Sequence, residues 1–286
     1  MGRRGCERKL LIAEGWHPKR LIKRVSGAAT SESAPVAAMR MSEDEDVLGD
    51  RTPRRSLRLF IMLLEEKRKE LVAIGLRAIR EGLTTGTGGN FSVCDRESGL
   101  MCITPSGIPY AETTPEQIVV MDVQTGKIVD GDAVPSSECD MHRIFYKYRT
   151  DLDAVIHTHT TYASTYSCFR RPLPPIHYLA AFGGTHVNCA EYATYGTVEL
   201  ARNAFRAMEG VKAVLLANHG LLAGGKDLNE AYNITEELEF CCKMVCNAMA
   251  MEASGYKPVQ LPQDEMDRMV ERFKGYGKVH EKHEEI

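Results

Sequence analysis

Three histidines and one glutamate are spaced so that they can meet at a metal ion. His157 and His159 flank Thr158 at the end of an apolar run, residues 152–156, that reads as a β-strand. Side chains two apart on a strand project to the same face, so both imidazoles can reach one ion. His219 follows a second apolar run, residues 211–217, and Glu138 follows two hydroxyls, Ser136 and Ser137. Three neutral imidazoles and a carboxylate suit a borderline-soft divalent ion, most often zinc. A lone His-x-His pair is also ordinary on a half-exposed strand, and a glutamate behind two serines also suits a helix N-terminus. What favours the metal is that the chain delivers two of its imidazoles to strand ends, where α/β folds keep their chemistry.

Two small-residue turns stand ready beside these groups. Residues 84–93, TTGTGGNFSV, form a glycine- and threonine-rich turn leading into a strand, and Thr104-Pro105-Ser106-Gly107 closes another. Such turns expose backbone N–H groups and hydroxyls that can cradle phosphate. The first turn is neither a P-loop nor a dinucleotide fingerprint, because it precedes a strand and not a helix.

The elements that must position these groups follow in order. Residues 63–81 carry Leu64, Leu71, Ile74 and Ile79 close to a 3.6-residue stripe, with Gly82 as the stop. Residues 118–122 and 127–129 read as a hairpin around Gln124-Thr125-Gly126. A helix of about 14 residues opens at the 135–137 turn, with Ser136 or Ser137 as N-cap and Glu138 in its first turn. Helices are also expected at 198–208, at 228–253 and up to Lys274, the second apolar all round as if one face met another subunit.

A formal charge of −3 gives no basic field for nucleic acid, and no apolar run approaches a membrane span. Nine scattered cysteines without a CxxC pair suggest a reducing, cytoplasmic setting. Up to residue 58 arginine outnumbers lysine by ten to three, with no lasting apolar period. Residues 1–61 are therefore expected either to be absent from the native protein, with translation starting at Met62, or to be a disordered extension, and one domain is expected over residues 62–286.

With these motifs in place, the chain resembles the class II aldolase/adducin family. The resemblance runs through GLTTGTGGNFSV, ITPSGIPY, PSSE, HTH, IHYLAAFGG, YATYGT, NHGLLA and ERFKGYG. It implies an α/β domain with a mainly antiparallel central sheet covered by helices, assembled as a four-fold homotetramer. It implies Zn(2+) held by His157, His159, His219 and, at rest, Glu138. The substrate implied is a ketose 1-phosphate, L-fuculose 1-phosphate first, cleaved to dihydroxyacetone phosphate and a short aldehyde such as lactaldehyde, as in fucose degradation.

On this resemblance the phosphate sits among Asn90, Ser106, Gly107, Ser136 and Ser137, and Glu138 moves the proton at carbon. Tyr178 from an adjacent subunit serves the aldehyde oxygen, Tyr276 from the C-terminal tail assists, and Tyr195 walls the aldehyde pocket. Phe182 and Tyr195 depart from the family pattern near the aldehyde end. Methylthioribulose-1-phosphate dehydratase shares the three histidines and is an alternative. A sugar-phosphate 4-epimerase carries aspartate where Glu138 stands, and an adducin-like scaffold would have lost zinc ligands. His142, His177, His186, His280 and His283 receive no role beyond structure or surface.

Overall fold

The computed structural model describes residues 62–252 and 254–276; the expected N-terminal extension, His280 and His283 lie outside them. Helix α1 (Glu65–Arg80) begins with two acids and ends with Arg77 and Arg80, matching its dipole. Gly82, at φ 75°, lets Leu83 N–H return to Ala78 O at 2.9 Å and close the end. The buried Arg68 fastens this helix by donating to Ile118 O at 3.0 Å and to Asp130.

Eight strands follow: β1 (Asn90–Asp95), β2 (Leu100–Ile103), β3 (Val119–Asp122), β4 (Ile128–Asp130), β5 (Ala154–Thr158), β6 (Asn188–Ala190), β7 (Ala213–Leu216) and β8 (Gly220–Gly225). They form one sheet in the order β4-β3-β2-β1-β5-β8-β7-β6. Every pairing is antiparallel except β6 with β7. This is the mainly antiparallel sheet expected.

Both faces of the sheet are covered, and strand alternation shows how. Met101, Ile103, Val119, Met121 and Val155 join the core with helices α2 (Cys139–Tyr148) and α4 (Val198–Ala207). Their neighbours Cys102, Val120, Ala154 and Ile156 pack with α1 on the opposite face. That second face continues under α5 (Leu228–Glu252), with α3 (Thr161–Ser167) and α6 (Gln263–Phe273). His157 lies two residues beyond Val155, so its ring emerges on the α2 side of the sheet. No described helix is long and apolar enough to cross a membrane.

Two expectations need correction. The helix after the serine turn has 10 residues, and Glu138 itself occupies the N-cap position without capping through its side chain. Ser136 Oγ instead accepts Glu138 N–H at 3.2 Å, which frees the carboxylate for other partners. Helix α5 turns one face inward, through Leu228, Ala231, Ile234, Leu238 and Val245, and leaves Phe240 exposed on the other.

Candidate active site

Glu138, His157, His159 and His219 each offer one ligand atom, and these four atoms lie within 4.8 Å of one another. His157 stands one residue before the end of β5, with its ring fully buried. Its Nδ1–H donates to Leu221 O of the neighbouring β8 at 2.9 Å, leaving the Nε2 lone pair to face the cluster. His159 follows the strand end. His219 sits in the turn between β7 and β8, where its N–H reaches Leu216 O at 3.0 Å and Ser167 Oγ at 3.3 Å. Ser164 Oγ donates to the His219 carbonyl at 3.2 Å, so the short helix α3 holds this turn from outside. Glu239 of α5 in turn accepts the N–H groups of Tyr162 and Ala163, at 2.8 and 2.7 Å, and caps α3.

The spacing suits a metal. His159 Nε2 stands 3.0 Å from His157 Nε2 and 3.1 Å from His219 Nε2. Glu138 Oε2 is 3.4 Å from His157 Nε2, and Oε1 is 3.6 Å from His219 Nε2. Tetrahedral zinc with bonds of about 2.0–2.2 Å places neighbouring ligand atoms about 3.3–3.6 Å apart. Burial holds all three imidazoles below the ordinary histidine range, His157 most strongly, with the neighbouring rings adding to the effect at His157 and His159. They are therefore neutral at pH 7, the form that ligates. Glu138 Oε1 is buried and accepts no hydrogen bond from the described residues. Three facing lone pairs and an unpartnered buried carboxylate oxygen are costly without a cation between them. The donor set fits a divalent metal.

The metal cluster borders a cavity of about 520 Å³. Asn90, Ser106, Gly107, Ser136 and Ser137 all line it, as does Tyr195. The 104–107 turn is joined to the serine turn by backbone pairing, Ser106 N–H donating to Val134 O at 2.8 Å and Ser136 N–H to Thr104 O at 3.2 Å, and to the 84–93 stretch by Thr104 N–H donating to Phe91 O at 3.0 Å. Among the described residues, the N–H groups of Gly107 and Ser137 make no backbone hydrogen bond, which leaves them as donors. Gly107 has φ 73°, a conformation that favours glycine. No lysine or arginine lines the cavity, so an anion there meets hydroxyls, amides and the N-terminus of α2.

Tyr178 and Tyr276 do not line this cavity. They are 45% and 75% exposed and stand near Phe273 of α6, which Phe182 stacks upon at 4.1 Å. Phe182 thus packs against the C-terminal helix. His177, left without a role, accepts Leu179 N–H at 3.3 Å and steadies the 3₁₀ turn Tyr178–Phe182. His186 contacts Thr185 Oγ1 at 3.0 Å.

Sequence reasoning missed Thr87, Tyr192 and Asn218 on the cavity wall, and a buried polar chain behind it. Asn90 Nδ2 donates to Glu138 Oε2 at 2.9 Å, and Asn90 Oδ1 meets His142 Nε2 at 2.5 Å. His142 Nδ1 meets Ser92 Oγ at 2.6 Å, and Ser92 Oγ meets the Tyr146 hydroxyl at 2.6 Å. Burial pushes the His142 pKa down to about 3, so its ring is neutral. The helical spacing of Glu138, His142 and Tyr146 was the available signal: four residues apart, they share one face.

Residues 69–246 match the family model for the class II aldolase and adducin N-terminal domain. The chain belongs to this family, and it is an enzyme of the lyase type, as its aldolase relatives are named. It is 45% identical over 216 residues to the 5-deoxy-D-ribulose 1-phosphate aldolase of Bacillus thuringiensis serovar kurstaki, covering 76% of this chain and 99% of that one. It is 41% identical to the 5-methylthioribulose-1-phosphate/5-deoxyribulose-1-phosphate aldolase of Rhodospirillum rubrum, covering 68% and 86%. A solved L-fuculose 1-phosphate aldolase superposes with a TM-score of 0.70 at 53% identity, covering 73% of this chain and 96% of that structure.

Proposed function

We propose that this protein is a zinc-dependent aldolase that cleaves a ketose 1-phosphate to dihydroxyacetone phosphate and a short uncharged aldehyde. The observation carrying this reading is the convergence of Glu138, His157, His159 and His219 beside a cavity whose other wall offers phosphate donors. The phosphate is held by Ser106, Gly107, Ser136, Ser137 and the amide face around Asn90. His157, His159 and His219 hold the zinc, with Glu138 as fourth ligand at rest. When bound, zinc supplies Lewis-acid stabilisation of the negative charge that develops on the substrate.

In cleavage the C3–C4 bond breaks, the C4 hydroxyl gives up its proton, and C3 gains one. Glu138 delivers that proton, and removes it in the condensation direction. The C4 oxygen needs its own acid–base group. Tyr178 serves it from a neighbouring subunit, with Tyr276 close by; their position outside the cavity of their own chain supports a shared site and a homotetramer. The exposed Phe240 on α5 is consistent with such packing.

The far wall of the cavity, with Tyr192, Ala193 and Tyr195, carries no charged side chain and suits a methyl-ended aldehyde. L-fuculose 1-phosphate fits this description and gives lactaldehyde. The 45% identity to a 5-deoxyribulose 1-phosphate aldolase favours 5-deoxy-D-ribulose 1-phosphate, which gives acetaldehyde, as the second substrate to try. Fucose degradation is thus one of two pathway assignments. The eight cysteines of the described residues are all unpaired, which supports a cytoplasmic setting. The direct test is release of dihydroxyacetone phosphate from each ketose 1-phosphate, with and without chelator.

A further inference from the structure

We propose that His142 is a positioning residue: by donating Nε2–H to Asn90 it fixes the Asn90 amide, which holds Glu138 Oε2 and leaves Oε1 as the oxygen that works. This inference rests on the aldolase reading for its catalytic consequence. Its geometric part stands apart from that reading.

The direction of every hydrogen bond in the buried chain follows from its end. An ionised carboxylate only accepts, so Asn90 must turn its NH₂ group toward Glu138 Oε2, 2.9 Å away. Its carbonyl oxygen then faces His142 Nε2 at 2.5 Å, which requires that nitrogen to carry the proton. A neutral imidazole has one N–H, so Nδ1 must accept from Ser92, 2.6 Å away. Ser92 then accepts from the Tyr146 hydroxyl at 2.6 Å. Ser92, His142 and Tyr146 are buried behind the cavity wall to which Asn90 and Glu138 belong, so no solvent competes for the inner bonds of the chain.

The alternative arrangement is disfavoured at each link. With the Asn90 amide reversed, its carbonyl oxygen would face the carboxylate and its NH₂ would face an imidazole N–H. Removing the His142 donor deletes the constraint and lets the amide rotate. Glu138 would then lose a fixed partner on Oε2, and Oε1 its defined direction toward His219 Nε2, now 3.6 Å away. Outer groups that orient metal ligands in this way are worth about 10–100-fold in metal affinity or activity.

The test compares three proteins: the native chain, His142→Leu and His142→Gln. Glutamine can place an N–H where Nε2–H lies, and leucine cannot. Zinc affinity is read by competition with a chromophoric chelator, and the geometry of the site by the visible spectrum of the cobalt-loaded protein. The proposal expects about 10–100-fold weaker zinc binding and an altered cobalt spectrum in His142→Leu, with both restored in His142→Gln. At saturating zinc, kcat should fall in His142→Leu and recover in His142→Gln.

A purely structural role would lower the thermal midpoint and leave zinc affinity, spectrum and kcat in place, and that result overturns the proposal. Equal impairment of the glutamine and leucine variants overturns it too. Should His142→Leu fail to fold, Ser92→Ala serves. It removes the donor to Nδ1 and allows the other tautomer, so a loss of about three- to tenfold in zinc affinity is expected and no change contradicts the proposal. If the native protein cleaves no ketose phosphate, the aldolase reading fails, and the metal measurements still decide the role of His142.

Discussion

A methyl group at position 89 would lie 2.3 Å from the carbonyl oxygen of His157. The strand bearing the first metal ligand therefore runs against bare backbone on this side, where Asn90 pairs with His157 in the register of β1 and β5. Gly220 repeats the relationship on the other side, where a methyl group would lie 2.3 Å from Thr158 O. Glycine at both positions lets three strands close around the imidazoles.

Gly89→Ala is expected to cost about 1–3 kcal/mol through crowding, with a further penalty for its φ of 71°. Gly86 has φ 58° but open space around it, so Gly86→Ala carries the backbone strain alone. Thermal melts and zinc titrations of both variants separate the two effects. Gly89→Ala should melt lower and bind zinc more weakly than Gly86→Ala; equal behaviour would show that the close approach to His157 is unimportant.

Replacing the carboxylate tests the proton-transfer step. Glu138→Gln keeps three imidazoles and the shape of the site, and should retain zinc in a folded protein. Its kcat should fall by about 10²–10⁴-fold, the usual contribution of a positioned acid–base group. Exchange of the dihydroxyacetone phosphate proton with solvent should fall in parallel. Unchanged exchange would assign the proton transfer elsewhere.

Tyr178 should separate bond cleavage from proton exchange. Tyr178→Phe is expected to lose cleavage while exchange of the dihydroxyacetone phosphate proton continues. Because Tyr178 lies outside the cavity of its own chain, mixed assemblies of Tyr178→Phe and Glu138→Gln subunits should regain activity through sites with one intact copy of each residue. Failure of freshly assembled mixtures to recover would contradict the shared site.

The pH dependence of stability follows from His142. Its pKa falls from 6.5 to about 3 on folding, so between these values the unfolded chain binds a proton that the folded chain does not. The sign is therefore loss of stability as pH falls below about 6.5, at up to about 1.4 kcal/mol per pH unit. In chelator, His142→Gln should show a shallower decline than the native protein between pH 6.5 and 5, by about 1.6 kcal/mol in total. Parallel curves would mean that His142 is not held neutral by burial.

How much of this was legible depended on whether the signal was local. His157 and His159 announce themselves through strand spacing, His219 through the apolar run before it and Glu138 through the two serines, and the family motifs agree with all four. The turns at 84–93 and 104–107 are readable from small residues, but their union with each other and with the serine turn needs the Thr104–Phe91, Ser106–Val134 and Ser136–Thr104 bonds. Strand β8, GLLAGG, is buried throughout because helices cover both sheet faces, so it shows no alternation to read. Helix α3 spans 7 residues, too short for a clear period, yet it fixes the His219 turn. His142 looked like a core histidine because its partners Asn90 and Ser92 lie 52 and 50 residues away. Pairing across that distance is a property of the folded sheet.

The most direct measurement is cleavage of L-fuculose 1-phosphate and of 5-deoxy-D-ribulose 1-phosphate by the zinc-loaded protein, following dihydroxyacetone phosphate in a coupled assay. The account predicts that at least one substrate yields product, that a chelator abolishes the release, and that added zinc restores it. Product formation untouched by chelator, or a zinc-loaded protein inert toward both substrates and in the reverse condensation with lactaldehyde and acetaldehyde, would contradict it.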